Sequence, residues 1–141
     1  MIVKKTLSAG ETIEFAEQIG KTLKGGEIIA YKGGLGAGKT TFTRGLAIGL
    51  GINAHVSSPT FALVNEYAGE SITLCHFDMY RVLNKESLET TGFYDYLYDD
   101  CVIAVEWSEN IADVLDELDG VITIEIERDG TGDERNIKVF P

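Results

Sequence analysis

The chain of 141 residues has only two cysteines, sets 12 lysines and arginines against 23 acidic residues, and contains no long apolar run. Each shortage excludes something. Cys75 and Cys101 stand far apart, each inside an apolar, strand-like segment. Buried reduced thiols are therefore expected rather than a disulfide framework or a metal centre, and no function attaches to them. Nowhere do about 18 apolar residues follow one another, so there is no candidate membrane span. The opening "MIVKKTLSAGETIEF" has lysines without the continuous apolar stretch of a signal peptide, and a cytoplasmic protein is expected. The net charge of −11 is uneven: residues 1–60 carry seven basic and four acidic residues, whereas 61–141 carry five and nineteen. Such an acidic surface repels a nucleic-acid backbone, which argues against direct DNA or RNA binding by this chain alone. It keeps the protein soluble and offers a face to a basic protein partner. Internal repeats and low-complexity segments are also absent. The 44% hydrophobic and 25% charged composition suits one globular domain over residues 1–141, with no room for a separate substrate domain.

Glycine, by contrast, is concentrated. "GGLGAGKTTFTRG" at 33–45 holds five glycines and fits G-x-x-x-x-G-K-[ST] through Gly33, Gly38, Lys39 and Thr40. The apolar "EIIAY" precedes it and "TTFTRGLAIGL" follows, so strand, loop and helix come in the order this motif requires. Glycine reaches backbone angles closed to other residues, which lets consecutive N–H groups turn inward around a polyphosphate at a helix N-terminus. Residues Gly33, Gly34, Leu35, Gly36, Ala37, Gly38, Lys39, Thr40 and Thr41 are the candidate nucleotide cradle. Lys39 reaches the outer phosphates, and the Thr40 hydroxyl suits Mg²⁺, a hard ion that prefers oxygen ligands.

The flanking pattern is α/β. "IVKKTL" reads as a short strand, and residues 8–26 as an amphipathic helix with Ser8 and Glu11 in capping-box register. Strand 27–32 and helix 38–50 bracket the loop. "FALVNEY" and "SITLCHFDMY" form an antiparallel hairpin, since "AGE" is too short for anything else. "NKESLETTGFYDYLYDD" is helical with a break at Gly92. "CVIAVEW" has the compact apolar character of a strand covered on both faces. "VITIEIER" and "NIKVF" alternate about a turn, which predicts a half-exposed hairpin at one edge of the sheet. The expected architecture is a mixed, mainly central sheet with helices on both faces.

Two strands end in carboxylates where open α/β sheets place their ligands: Asp78 closes "SITLCHFD" and Glu106 closes "CVIAVE". Either can serve a metal bound near Thr40, and the other can orient an attacking water. His76 shares a strand face with Asp78, but two ligands are too few for zinc, so it is expected to hydrogen-bond Asp78 or the backbone. In "SSPTF", Pro59 fixes the loop; on the residues alone this is an ordinary turn of small polar residues, and the alternative is that Thr60 approaches the terminal phosphate. Trp107 is a core residue or a wall beside the nucleotide.

"GGLGAGKTTFTRGLAIGLG", "SSPTFALVNEY", "HFDMYR" and "VEWSE", in that order and spacing, resemble the bacterial TsaE (YjeE) family over nearly the whole chain. The resemblance implies a P-loop NTPase fold, a three-layer sandwich, and Mg²⁺-dependent ATP hydrolysis. It also implies association with the TsaD and TsaB proteins, which install threonylcarbamoyl on tRNA adenosine, so that tRNA is met only through the complex. By the same likeness Asp78 is the metal-associated aspartate and Thr60 the threonine of a switch-like loop. Glu106 and Trp107 are the acidic and aromatic pair near the nucleotide. Lys39, Glu106 and Thr60 are accordingly the expected catalytic residues, with Thr40, Asp78 and Glu106 at the metal. The family loop usually reads G-D-L-G-A-G-K-T, and Gly34 here replaces its aspartate. Arg81 and Arg135 also match family positions, and only structural pairing follows for them. A kinase would use the same cradle, but no inserted helical segment supplies a lid. A GTPase would use N-K-x-D, and "NKES" has Ser87 in place of the aspartate. A binding module that does not hydrolyse is the third alternative.

Overall fold

The computed structural model describes residues 1–34, 36–59 and 63–141. Its strands are β1 (Ile2–Thr6), β2 (Ile28–Lys32), β3 (Val64–Ala68), β4 (Thr73–Asp78), β5 (Cys101–Glu106), β6 (Val121–Arg128) and β7 (Arg135–Phe140). Its α-helices are α1 (Ala9–Thr22), α2 (Lys39–Gly49), α3 (Lys85–Thr90) and α4 (Ala112–Leu115), with short 3-10 turns at Phe93–Tyr96 and Ser108–Ile111. All seven strands join one sheet in the order β1-β7-β6-β2-β5-β4-β3. The middle four, β6, β2, β5 and β4, run parallel. Antiparallel neighbours flank them, β7 and β1 on one side and β3 on the other.

Alternation along the central strands builds the layers, because successive side chains in a strand point to opposite faces. Ile29 and Tyr31 of β2 pack with Ala16 of α1 and with Phe42 and Leu46 of α2. Ile28 and Ala30 pack on the other face with Leu88 of α3, Phe93, Ile111 and Leu115. The expected mixed central sheet with helices on both faces is therefore the observed arrangement. Cys75 is buried, Cys101 is partly buried and both are free thiols; burial pushes the Cys75 thiol up to about 12. Among the described residues no helix is long and apolar enough to cross a membrane.

Local signals behave as their chemistry requires. Ser8 accepts from Glu11 N at 3.1 Å, while the Glu11 carboxylate accepts from Leu7 N rather than from the cap residue itself. Asn84 and Ser87 form a complete capping box at the start of α3. The "NKES" stretch that nearly matches a guanine reader is thus a helix start.

One expectation requires correction. The β6–β7 hairpin forms, but it is not the edge of the sheet. β6 lies inside, parallel to β2, and β7 is covered by β1, which takes the edge with its exposed Lys4 and Lys5. The alternation in β7 arises because only one face of the sheet is covered there. Periodicity reports which faces are buried and carries no information about lateral neighbours.

α1 and α2 meet along a glycine seam. A Cβ on Gly45 would overlap the Ala16 methyl and the Ile13 carbonyl, one on Gly49 would overlap the Glu17 carbonyl, and one on Gly20 would lie 2.7 Å from the Leu46 carbonyl. The obstacles are mostly backbone and cannot rotate away. Gly45→Ala gains about 1 kcal/mol of helix propensity but overpacks the seam by about 3 kcal/mol, for an expected net loss of about 2 kcal/mol. Urea denaturation measures it, and an unchanged midpoint would mean that the two helices can separate freely.

Candidate functional site

β2 delivers the chain to the glycine loop, and α2 begins directly after it at Lys39. Gly33, Gly36 and Gly38 have φ of +149°, +72° and +109°, angles that side chains resist. Gly33 also packs so closely that a Cβ would strike the Ile126 carbonyl of β6. Gly34 differs: its φ lies outside the left-handed region and a Cβ there would meet nothing within 4 Å, so an aspartate at this position is not excluded by space. The N-cap of α2 is Gly38, which has no side chain to cap the helix, and among the described residues its first-turn N–H groups have no side-chain acceptor.

Lys39 is 7% exposed. Its ammonium donates to Gly33 O at 3.2 Å, lies 3.8 Å from Glu106 Oε1, and sits 5.8 Å from the centroid of the Trp107 ring. Asp78 and Glu106 are partners in register at the ends of parallel β4 and β5, which brings both carboxylates to one level beside the loop. Asp78 Oδ1 accepts from Tyr80 N at 2.9 Å, fixing the turn that leaves β4. Trp107 adopts φ +59° and ψ +41°, an uncommon conformation for a bulky aromatic residue. Its ring meets Tyr80 edge-on at 5.0 Å.

The expectation for His76 also needs correction. Its neighbour is not Asp78 on its own strand but Glu106 on the next, with Nε2 2.6 Å from Oε2. The pair is within ion-pair distance but lacks hydrogen-bond alignment, so both ring nitrogens and Oε2 are left without a hydrogen bond. Asp78 points onward to the turn at Tyr80, while the parallel register turns Glu106 back over His76. Behind them, the Tyr31 hydroxyl bonds Thr43 Oγ1 at 2.8 Å and Thr43 donates to Lys39 O at 2.8 Å, tying the first turn of α2 to β2.

These elements enclose a pocket of about 580 Å³. Of the candidate residues, Gly36, Ala37, Gly38, Lys39, Thr40, Thr41, Asp78, Glu106 and Trp107 line it. Gly33 and Gly34 do not line it; Gly33 supplies a carbonyl to Lys39 instead. The expectations for Leu35 and Thr60 lie outside the described residues. Ser58, Tyr80 and Arg135 line the pocket without having been singled out for it. Tyr80, two residues past Asp78, was within reach of a local argument, whereas Arg135 carries no local signal. Among the described residues no group of three or more His, Cys, Asp and Glu could cage a metal by itself. Thr40, Asp78 and Glu106 are oxygen donors on one pocket, which fits a hard cation that takes its remaining ligands from phosphate and water.

Residues 6–137 match the family described as "Threonylcarbamoyl adenosine biosynthesis protein TsaE". The tRNA threonylcarbamoyladenosine biosynthesis protein TsaE of Treponema pallidum is 37% identical over 123 residues, spanning 87% of this chain and 90% of that protein. The protein of the same name from Haemophilus influenzae is 41% identical over 128 residues, 90% of this chain and 78% of its own. A crystal structure of Bacillus subtilis YdiB superimposes with a TM-score of 0.75 at 34% identity, covering 96% of this chain and 82% of that one.

Burial pushes the Tyr31 phenol well above its ordinary value of 10.0. The unfolded chain ionises it near that value and the folded chain does not, so its contribution to stability is present below pH 10 and is lost as pH rises further. Tyr31→Phe should cost about 1 kcal/mol at neutral pH and should flatten the alkaline decline relative to the parent. Urea titrations at a series of pH values measure both effects, and parallel curves for the two proteins would refute this.

Proposed function

The chain belongs to the TsaE family, and from that membership and the pocket geometry we propose that it is a Mg²⁺-dependent P-loop ATPase acting in tRNA threonylcarbamoyladenosine formation. The observation that carries this is the convergence of the α2 N-terminus, Lys39, Thr40, Asp78 and Glu106 on one pocket. The main-chain N–H of Gly36, those from Gly38 to Thr41, and the dipole of α2 receive the phosphates. Lys39 leaves the Gly33 carbonyl for the outer phosphates. Thr40 and Asp78 would hold the metal, which would neutralise charge on the phosphate oxygens. Glu106 is anchored beside Lys39 and His76, where its carboxylate can accept a proton from an attacking water. Trp107 and Tyr80 form the aromatic wall. The partners are TsaD and TsaB: ATP holds the complex in one state and hydrolysis resets it, with the tRNA chemistry belonging to the partner.

A non-hydrolysing, nucleotide-dependent binding module is the second possibility. Gly34 favours it, since the position has space for an acidic side chain and supplies none.

Trp107 fluorescence and phosphate release distinguish the two. Lys39→Ala should weaken ATP binding by about 10 to 100-fold. Glu106→Gln should keep binding while lowering turnover by about 100-fold or more. A parent that binds ATP without turnover, alone and with TsaD and TsaB, would select the binding module. A response to GTP in place of ATP would refute the choice of base. Reconstitution of tRNA modification from TsaD, TsaB, threonylcarbamoyl adenylate and ATP, with and without this chain, tests the pathway: multiple turnover should require it.

A further inference from the structure

The C-terminal hairpin reaches the glycine loop from behind. Arg135, the first residue of β7, is 9% exposed although it carries a charge. Its Nε donates to Ala37 O at 2.7 Å and its Nη2 to Gly36 O at 3.4 Å, spanning 98 and 99 residues of sequence. Nη1 donates to Gly132 O and Glu134 O, both at 2.9 Å, which locks the guanidinium plane to the hairpin turn. Among the described residues no carboxylate pairs with it within 4.0 Å. Arg135 and Lys39 are thus two buried cations on one pocket, and only Lys39 has an acidic partner.

The bond to Ala37 O has a geometric consequence. A trans peptide carries its C=O and N–H on opposite sides. Drawing the Ala37 carbonyl toward Arg135 therefore turns the Gly38 N–H the other way, and no acceptor among the described residues takes it. The Ala37 N–H is already used, donating to Gly34 O at 3.2 Å. A Cβ on Gly38 would come within 3.3 Å of Arg135 Nε, so glycine there also lets the guanidinium approach.

We propose that Arg135 is a positioning residue for phosphate binding: from β7 it sets the Ala37–Gly38 peptide so that the Gly38 N–H faces the pocket. Its buried charge adds to that of Lys39. This rests on the assignment of the pocket to a nucleoside triphosphate, and it couples phosphate binding to the β6–β7 hairpin.

The test titrates the parent, Arg135→Gln and Arg135→Lys with ATP and with ADP in the presence of Mg²⁺, reading Trp107 fluorescence and steady-state hydrolysis. Arg135→Gln should weaken both nucleotides alike by about tenfold or more, raising KM while kcat at saturation stays within about twofold. Arg135→Lys, which keeps the charge and one donor but loses the fork, should fall between the two. A residue that only supported the fold would lower the melting temperature and leave affinity unchanged. A folded Arg135→Gln variant that binds ATP within about twofold of the parent overturns the proposal. Should that variant fail to fold, the parent decides. Inorganic pyrophosphate should shift the Arg135 Nε–H and Gly38 amide resonances together and slow their exchange, and unmoved resonances in a pyrophosphate-bound protein overturn the role of Arg135 alone. A parent that responds to neither ATP nor pyrophosphate overturns the nucleotide assignment and this proposal with it.

Discussion

A single buried ammonium group is the constraint around which the pocket is organised. Removing a charge from water is costly unless partners replace the solvent. Among the described residues Lys39 has a backbone carbonyl at 3.2 Å and a carboxylate at 3.8 Å, two contacts for three N–H donors. That is enough to keep the charge inside and too little to saturate it. An anion entering beside Gly38 meets a cation with spare donor capacity and a helix start with no side-chain cap. The net charge of the protein is −11, so attraction of an anion to this pocket has to come from local geometry and not from the overall field.

The geometry is maintained by contacts that reach from the pocket into the surrounding helices and strands. The glycine seam between α1 and α2 places the second helix by direct backbone approach, and the Tyr31–Thr43–Lys39 chain ties its first turn to β2. The parallel register of β4 and β5 carries Asp78 and Glu106 to the same height. Ile126 and Arg135 back the loop from the opposite side. The loop is thus held from three directions: by the helix ahead of it, the strand beneath it and the hairpin behind it. Membership of the TsaE family gives this frame its biological setting, and the pocket residues give it a chemistry.

Much of the site was legible before any tertiary structure was considered. The glycine loop was recognisable locally, because its glycines permit the positive φ values found at Gly33, Gly36 and Gly38 and a strand and a helix stand on either side. Asp78 and Glu106 were recognisable as strand ends from the apolar runs before them. The helix starts at Ser8 and Asn84 are likewise short-range chemistry, and Ser87, which breaks the near match to a nucleotide-reading motif, completes the capping box of the second. His76 illustrates the limit: its own strand suggested Asp78, while the neighbouring strand supplied Glu106.

What the sequence by itself determined, then, is whatever depends on backbone angles and side-chain alternation within a few residues: the loop, the strands, the buried faces and the carboxylates that end them. Tertiary structure alone decided the lateral order of the strands, and with it the interior place of β6, the edge position of β1, the pairing of His76 with Glu106 and the reach of Arg135 to the Ala37 carbonyl. The reason is physical. Alternation specifies that a face is buried without naming the strand beside it, and a hydrogen bond across 98 residues exists only once every intervening strand has taken its place.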